Sequence, residues 1–215
     1  MIDKRAARPV SPVSTAGPGR VAAGDIITSR ELTTIRSERI PVPYPGMLTH
    51  LQFRRFAGCP LCNLHLRSLA RRHGELLAAG VREVAVFHST AGDMLPFQGE
   101  LPFAVIADPT RKLYREFGVT TSPRALLHVK AWAAPLNPRV YPMVLRGLRA
   151  GGSPGPRHGD SPLGLPADFL IGPGGQVLAA KYGRHANDQW SVDELLQAAR
   201  SAGGLEAGRN VQERR

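Results

Sequence analysis

The sequence predicts an α/β fold, a central mixed β-sheet flanked by helices. Three features carry this expectation. The strand-like run Thr49 to Phe56 leads into a helix-like run, Pro60 to Ala79, and then into the apolar run Val81 to His88. Such a β-α-β unit requires parallel strands and a right-handed crossover. Further on, two strand-like runs, Leu165 to Ile171 and Gln176 to Gly183, flank the turn Gly172-Pro173-Gly174-Gly175 and predict an antiparallel hairpin.

At 215 residues and 42% apolar content the chain suits one domain with tails. Residues 1–24, rich in Pro, Gly, Ser and Ala, read as a flexible N-terminal tail, 25–201 as the domain and 202–215 as a C-terminal tail. From Asp25, Ile26-Ile27 and Glu31 to Ile35 read as short strands, and Arg39 to Pro43 as a proline-limited edge. In the long helix, Leu66, Leu69, Ala70, His73, Leu76 and Leu77 share one face, and Gly80 ends it. Leu101 to Ala107 is a further apolar segment, and Asp108-Pro109 predicts an N-cap with proline at the first helical position. Residues 122–150 read as helical or irregular, and 151–164 as a long loop, so that 122–164 forms an insertion before the hairpin. A final helix starts at Ser191, whose partner Glu194 completes a capping box, with Val192, Leu195, Leu196 and Ala199 facing inward.

Charge and hydropathy narrow the function classes. The net charge is +11, yet its carriers, mostly arginines, are scattered from end to end without a basic block or a nucleic-acid-binding motif. No specific nucleic-acid partner is expected. No apolar run reaches the ~18 residues of a membrane span, and the N-terminus lacks the apolar core of a secretory signal, so no membrane partner is expected and the location reads as cytoplasmic.

The chemistry is concentrated in Gly58-Cys59-Pro60-Leu61-Cys62, which holds the only two cysteines of the chain. A cysteine at the mouth of a helix faces free backbone N–H groups and the positive end of the macrodipole, both of which favour thiolate. Pro60 fits the first helical position, Gly58 permits close approach to Cys59, and Cys62 lies nearly one turn further on, where it can close a disulfide. A redox pair is the leading reading. Two others stay open: an inert pair of buried cysteines, and a metal site completed by His65 with His50 or His73. The metal reading lacks the second short-spaced ligand pair of a structural zinc site, so neither metal nor cofactor is expected.

The order strand, C-x-x-C helix, strand, helix, hairpin, helix resembles the thioredoxin-like fold with an N-terminal β extension. The motifs Phe53 to Cys62, Leu101-Pro102-Phe103 through Asp108-Pro109, Leu113-Tyr114, Phe117-Gly118-Val119, and Leu165-Pro166 through Gly175 resemble the peroxiredoxin-like AhpC/TSA antioxidant-type family. So do the closing segments Tyr182 to Asp188 and Val192 to Leu196. The resemblance spans about residues 24–200. It implies an oxidoreductase in which Cys59 attacks a small hydroperoxide or a disulfide and Cys62 resolves the product. A thioredoxin or low-molecular-weight thiol would then reduce the disulfide. The resemblance also implies a cis proline opposite the cysteine pair, and Pro166 holds the matching place. The family pattern has a threonine three residues before the nucleophile and a proline further upstream; here those places fall on Phe56 and on Phe53 to Arg55. Arg55 either supplies positive charge to the site or satisfies a carboxylate. The rival to an enzyme is a thioredoxin-fold interaction module with idle cysteines.

Overall fold

The strand β3 (Leu48–Phe53) alternates Leu51 and Phe53 with His50 and Gln52, and every one of these side chains is buried. Apolar residues therefore face one side of the sheet and polar residues the other. In the computed structural model, which describes residues 19–121, 140–149, 151–152, 155–156, 160 and 163–212, this strand is the centre of the main sheet. Strand order is β5-β4-β3-β6-β7, with β4 at Val81–Phe87, β5 at Ala104–Ala107, β6 at Ala167–Ile171 and β7 at Val177–Tyr182. β3 pairs in parallel with β4 (Phe53 beside Val86) and antiparallel with β6 (Phe53 beside Ala167), while β6 and β7 form the antiparallel hairpin. The sheet is mixed, as the sequence predicts. A separate two-stranded antiparallel sheet, β1 (Arg30–Thr33) with β2 (Arg39–Val42), is the N-terminal extension.

Helices cover both faces. On one lie α1 (Pro60–Arg71), α2 (His73–Ala78), α3 (Ala91–Gln98) and the last helix, whose Leu66, Leu69, Leu76, Met94, Phe97, Leu195 and Ala199 form a core with both cysteines. The other face holds α4 (Lys112–Glu116), where Leu113, Tyr114 and Phe117 pack on Leu51, Phe53, Val86 and Phe169. Phe169 meets Phe53 edge to face at 5.8 Å and Tyr182 at 5.4 Å, the arrangement that ring quadrupoles favour. A further helix, α5 (Val140–Arg149), precedes the hairpin, and α6 (Val192–Gln212) closes the chain. Among the described residues, no helix is long and apolar enough to cross a membrane.

Several elements differ from the sequence reading. The run expected as one helix to Ala79 breaks at Arg72, whose non-helical backbone separates α1 from α2, and Gly80, at φ +74°, turns the chain into β4. α3 is an addition: its N-cap Thr90 accepts the N–H of Asp93, a cap written in the sequence but masked by the low amphipathicity of Ala91 to Gln98. α4 starts three residues after the Asp108-Pro109 pair would place it, because Arg111 takes a left-handed φ of 56°. Asp108 still caps the helix from a distance, accepting from the N–H groups of Lys112 and Leu113 at 2.9 and 2.7 Å. Within residues 19–24, read as tail, Val21 is buried and the Gly24 N–H donates to the Val177 carbonyl. The capping box is present, with Ser191 and Glu194 exchanging hydrogen bonds of 2.7 and 3.2 Å, but α6 continues beyond the expected end near residue 201. Of the insertion, residues 122–139 lie outside the described residues.

The proline expectation is corrected. Among the described residues the cis peptide is Val42–Pro43, and the bond before Pro166 is trans. Pro166 keeps its place at the head of β6, beside the Ala167–Phe53 pair, and accepts a hydrogen bond from Gly183. A Cβ on Gly183 would come within 2.7 Å of the Pro166 ring and 2.5 Å of the Asp188 carbonyl, which excludes larger residues there.

Candidate active site

β3 ends at Phe53 and α1 starts at Pro60; the six residues between deliver Cys59 to the helix N-cap and Cys62 to its first turn. Both cysteines are free. The Cys59 sulfur accepts the Cys62 N–H at 3.5 Å, so one of the orphan donors of the first turn is satisfied by a sulfur. Pro60 occupies the first helical position, as expected.

Three side chains not identified from sequence hold this loop. Asn63 donates to the carbonyls of Ala57 and Cys59 at 2.7 and 3.0 Å, and Gln98 donates to the Ala57 carbonyl at 2.9 Å and to Asn63 at 2.6 Å. From the end of β4, Ser89 accepts the Ala57 N–H at 2.9 Å and donates to Asp160. Asn63 follows the motif directly and carries a readable sign, a polar residue on the inner side of a helix start; Gln98 and Ser89 carry none.

Burial opposes ionisation of both thiols. At Cys62 it is outweighed by the donating Cys59 thiol, the Arg55 charge, a backbone contact with Arg55 and the more distant Arg54, and the thiol is brought down to about 6. Cys59 is pushed well above the ordinary thiol value by burial, by its hydrogen bond to Cys62 and by the charge there, with Arg55 acting the other way. The N-cap position leads one to expect the thiolate at Cys59; in the folded pair the charge rests at Cys62 and Cys59 keeps the proton. The expected open approach at Gly58 is likewise not met. Gly58 is buried, Cys59 is 1% exposed and Cys62 fully buried, packed among Phe56, Ala57 and Leu61.

Arg55 bears on the two alternatives left open for it. It is buried, its Nε has no hydrogen-bond partner, and no carboxylate pairs with it among the described residues. Its guanidinium lies 5.4 Å from the Phe56 ring and favours the thiolate form of both cysteines. Phe56 is buried where the family pattern has threonine, and its carbonyl accepts the Cys59 N–H at 3.0 Å.

Beneath α1, on the polar side of β3, runs a buried ionic chain. Arg54 Nη2 donates to Asp168 at 2.6 Å and to Gln52 at 2.6 Å; His50 lies 3.1 Å from Asp168, and His73 3.1 Å from Glu83. Burial opposes the Asp168 charge, but Arg54 and His50 hold its carboxyl far below the ordinary range. His65, one turn after Cys62, lies 3.2 Å from Arg54; burial and the Arg54 charge keep it neutral. The histidines that a metal reading requires are thus held elsewhere: His65 at Arg54, His50 at Asp168, His73 at Glu83. Among the described residues no group of three ligating side chains is placed to hold an ion.

Comparison with known proteins fits this architecture. A family profile described as AhpC/TSA antioxidant enzyme matches residues 68–185, more than half of the chain, beginning after Cys62. No curated protein matches in sequence. Among solved structures, the peroxidoxin BcpB of Mycobacterium tuberculosis superposes with a TM-score of 0.60 at 13% identity, covering 85% of this chain and 98% of its own. A peroxiredoxin 6 of Arenicola marina gives 0.58 at 16% identity, covering 84% of this chain and 73% of its own. A protein assigned as the thiol:disulfide interchange protein DsbE of Chlorobium tepidum gives 0.52 at 19% identity, covering 84% of this chain and 96% of its own. These likenesses establish the thioredoxin-like fold, and with the profile match they place the chain in the AhpC/TSA antioxidant enzyme family, a family of thiol-dependent redox proteins.

Proposed function

We propose that the protein is a dithiol oxidoreductase of peroxiredoxin type, working through Cys59 and Cys62. The observation that carries this reading is the pair of free thiols at the head of α1: Cys59 at the N-cap accepts the Cys62 N–H at 3.5 Å, and the buried Arg55, with no carboxylate partner among the described residues, favours the thiolate form of both.

The pair suggests a division of labour. As substrate arrives, the Cys62 thiolate takes the Cys59 proton, and Cys59, at the mouth of the helix, attacks. With a hydroperoxide the O–O bond breaks, Cys59 becomes a sulfenic acid and an alcohol leaves. Cys62 gives up its proton and attacks the Cys59 sulfur, and water leaves. Two thiols have become one disulfide and one hydroperoxide an alcohol and water. With a disulfide substrate the same attack gives a mixed disulfide that Cys62 resolves, releasing two thiols. A thioredoxin or a low-molecular-weight thiol returns the pair to the dithiol, and a reducing cytoplasm is the compartment in which that cycle runs. Arg55 stabilises the anionic sulfur, while Gly58, Pro60 and Pro166 shape the loop and the strand beside it.

Cys59→Ser is expected to abolish turnover, and Cys62→Ser to leave a trapped sulfenic acid or mixed disulfide on Cys59, read by mass spectrometry after trapping with a sulfenic-acid reagent. Full turnover in Cys59→Ser contradicts the assignment.

The near-complete burial of both sulfurs favours a second reading, an interaction module with idle cysteines. A pair that resists iodoacetamide near neutral pH in the native protein, and reacts only on unfolding, supports the module over the enzyme.

A further inference from the structure

At the end of the sheet where β4 and β5 finish, a cavity of about 370 Å³ opens between α4 and the chain around Thr120 and Leu165. Its volume falls in the range of about 300–1,000 Å³ typical of small-molecule sites. Among its described lining residues the charge is one-sided: Arg111 and Arg115 contribute guanidinium groups, Thr120 and Thr121 hydroxyls, Tyr114 a ring, and none of them is acidic. The acidic residues flanking α4 are engaged elsewhere, Glu116 with Arg30 and Asp108 with the backbone of Lys112 and Leu113.

The wall also contains a buried polar group in want of a partner. His88 is 4% exposed, its Nε2 has no hydrogen-bond partner, and its Nδ1 stands 3.4 Å from Asp160. A buried ring nitrogen left unpaired costs stability that a bound acceptor would recover. The cavity also shares backbone with the redox loop: the His88 N–H points to the Arg55 carbonyl at 3.5 Å, and the Tyr114 hydroxyl donates to the Arg54 carbonyl at 2.5 Å.

We propose that this cavity seats the carboxylate of the small molecule that exchanges electrons with the Cys59–Cys62 pair, Arg115 pairing with the carboxylate and His88 donating to it. The proposal rests on the redox reading above and adds the substrate's chemical class: an anionic organic thiol or disulfide, or an anionic organic hydroperoxide.

The test uses full-length protein and matched probes. In the reductive half-reaction, mercaptopropionate and cysteamine are thiols of similar size and opposite charge. In the oxidative half-reaction, a fatty-acid hydroperoxide is set against neutral cumene hydroperoxide. The proposal expects wild-type kcat/KM to favour the acid in one of the two half-reactions, which identifies the source of the carboxylate. Arg115→Gln should reduce that preference roughly tenfold, the scale of one lost charge-assisted contact. Arg200→Gln, which removes the same charge from α6 on the opposite face of the sheet, should leave the preference unchanged. If Arg200→Gln moves it as far as Arg115→Gln, the effect is bulk charge and the proposal fails. It also fails if the wild type prefers the acid in neither half-reaction. A readout free of turnover separates this from failure of the redox reading: NMR titration of Cys59→Ser protein with mercaptopropionate. Shifts of the His88 and Arg115 side-chain signals, together with a wild type that turns over neither class of oxidant, keep the seat and sink the redox reading; no shifts at these signals, whatever the wild-type turnover, overturn the seat.

Discussion

Arg54 Nη2 donates to Asp168 Oδ1 at 2.6 Å, and both side chains are fully shielded from solvent. The pair joins β3 to β6 directly beneath α1, at the base of the thiol pair. A fully buried ion pair is a poor route to stability, because desolvation offsets most of the attraction. Its position gives it another consequence: the Arg54 charge reaches Cys62, and Asp168 sets how much of that charge is left over.

Asp168→Asn therefore has two expected effects. It strands a buried guanidinium, at a cost of about 3–5 kcal/mol in unfolding free energy. In the protein that remains folded, the less compensated Arg54 moves the Cys62 thiol further down, so alkylation persists to lower pH than in wild type. Urea titration measures the first effect and the pH profile of iodoacetamide labelling the second. A large loss of stability with an unmoved labelling profile would confine Asp168 to a structural part.

Labelling of reduced wild type is expected to rise through pH about 6, not near the ordinary thiol value. Cys59→Ala removes the thiol that donates to Cys62, so the midpoint at Cys62 rises. Cys62→Ser removes the neighbouring charge, so the midpoint at Cys59 falls relative to Cys59 in wild type. Arg55→Gln raises both. Peptide mapping after short labelling pulses at a series of pH values reads all four.

The same shift fixes a sign for stability. Cys62 ionises more readily folded than unfolded, so its contribution is fully present above the unfolded value of about 8.5 and is lost as pH falls through about 6. Cys62→Ser should accordingly destabilise more at pH 8.5 than at pH 6, measured as the difference in urea midpoint between variant and wild type at each pH. Asp168 works in a lower window, its contribution complete above the unfolded value of about 3.9 and lost only on strong acidification.

Asn63→Ala is expected to cost about 1–3 kcal/mol, because it strips one hydrogen-bond donor from each of two buried loop carbonyls and leaves Gln98 with the Ala57 carbonyl as its one remaining acceptor in the loop. The loop it frees carries Cys59, so labelling of Cys59 at neutral pH should quicken in the folded protein. Thermal unfolding and pulse labelling together check this; loss of stability without faster labelling would mean that the loop is held by Gln98 and Ser89 alone.

The fold was legible because its signals are local or periodic. The alternation in β3, the apolar run of β4, the glycine turn of the hairpin and the Ser191–Glu194 box each state their element within a few residues. The break at Arg72 and the late start of α4 were not legible, since Arg72 and Arg111 adopt backbone angles that their identity does not favour. The site was half legible. Spacing and context point to Cys59, Pro60 and Cys62, and Arg55 carries two readings on which only burial and the lack of a carboxylate partner among the described residues bear. The lower thiol at Cys62 depends on the Cys59 thiol that donates to it and on two arginines acting through space, and the loop clamp depends on Gln98, brought from α3 by packing. Asp168 and His50 are ordinary strand residues until β3 and β6 pair.

The central claim is that Cys59 and Cys62 act as one redox unit, and the intact mass of fully reduced protein after a single equivalent of hydrogen peroxide tests it most directly. The account expects rapid loss of two hydrogen atoms, mapped to a Cys59–Cys62 disulfide and reversed by a thiol; rapid loss with a disulfide oxidant and none with peroxide would make the activity thiol–disulfide exchange. Native protein that keeps its reduced mass with both oxidants, while the unfolded chain is oxidised, would contradict it.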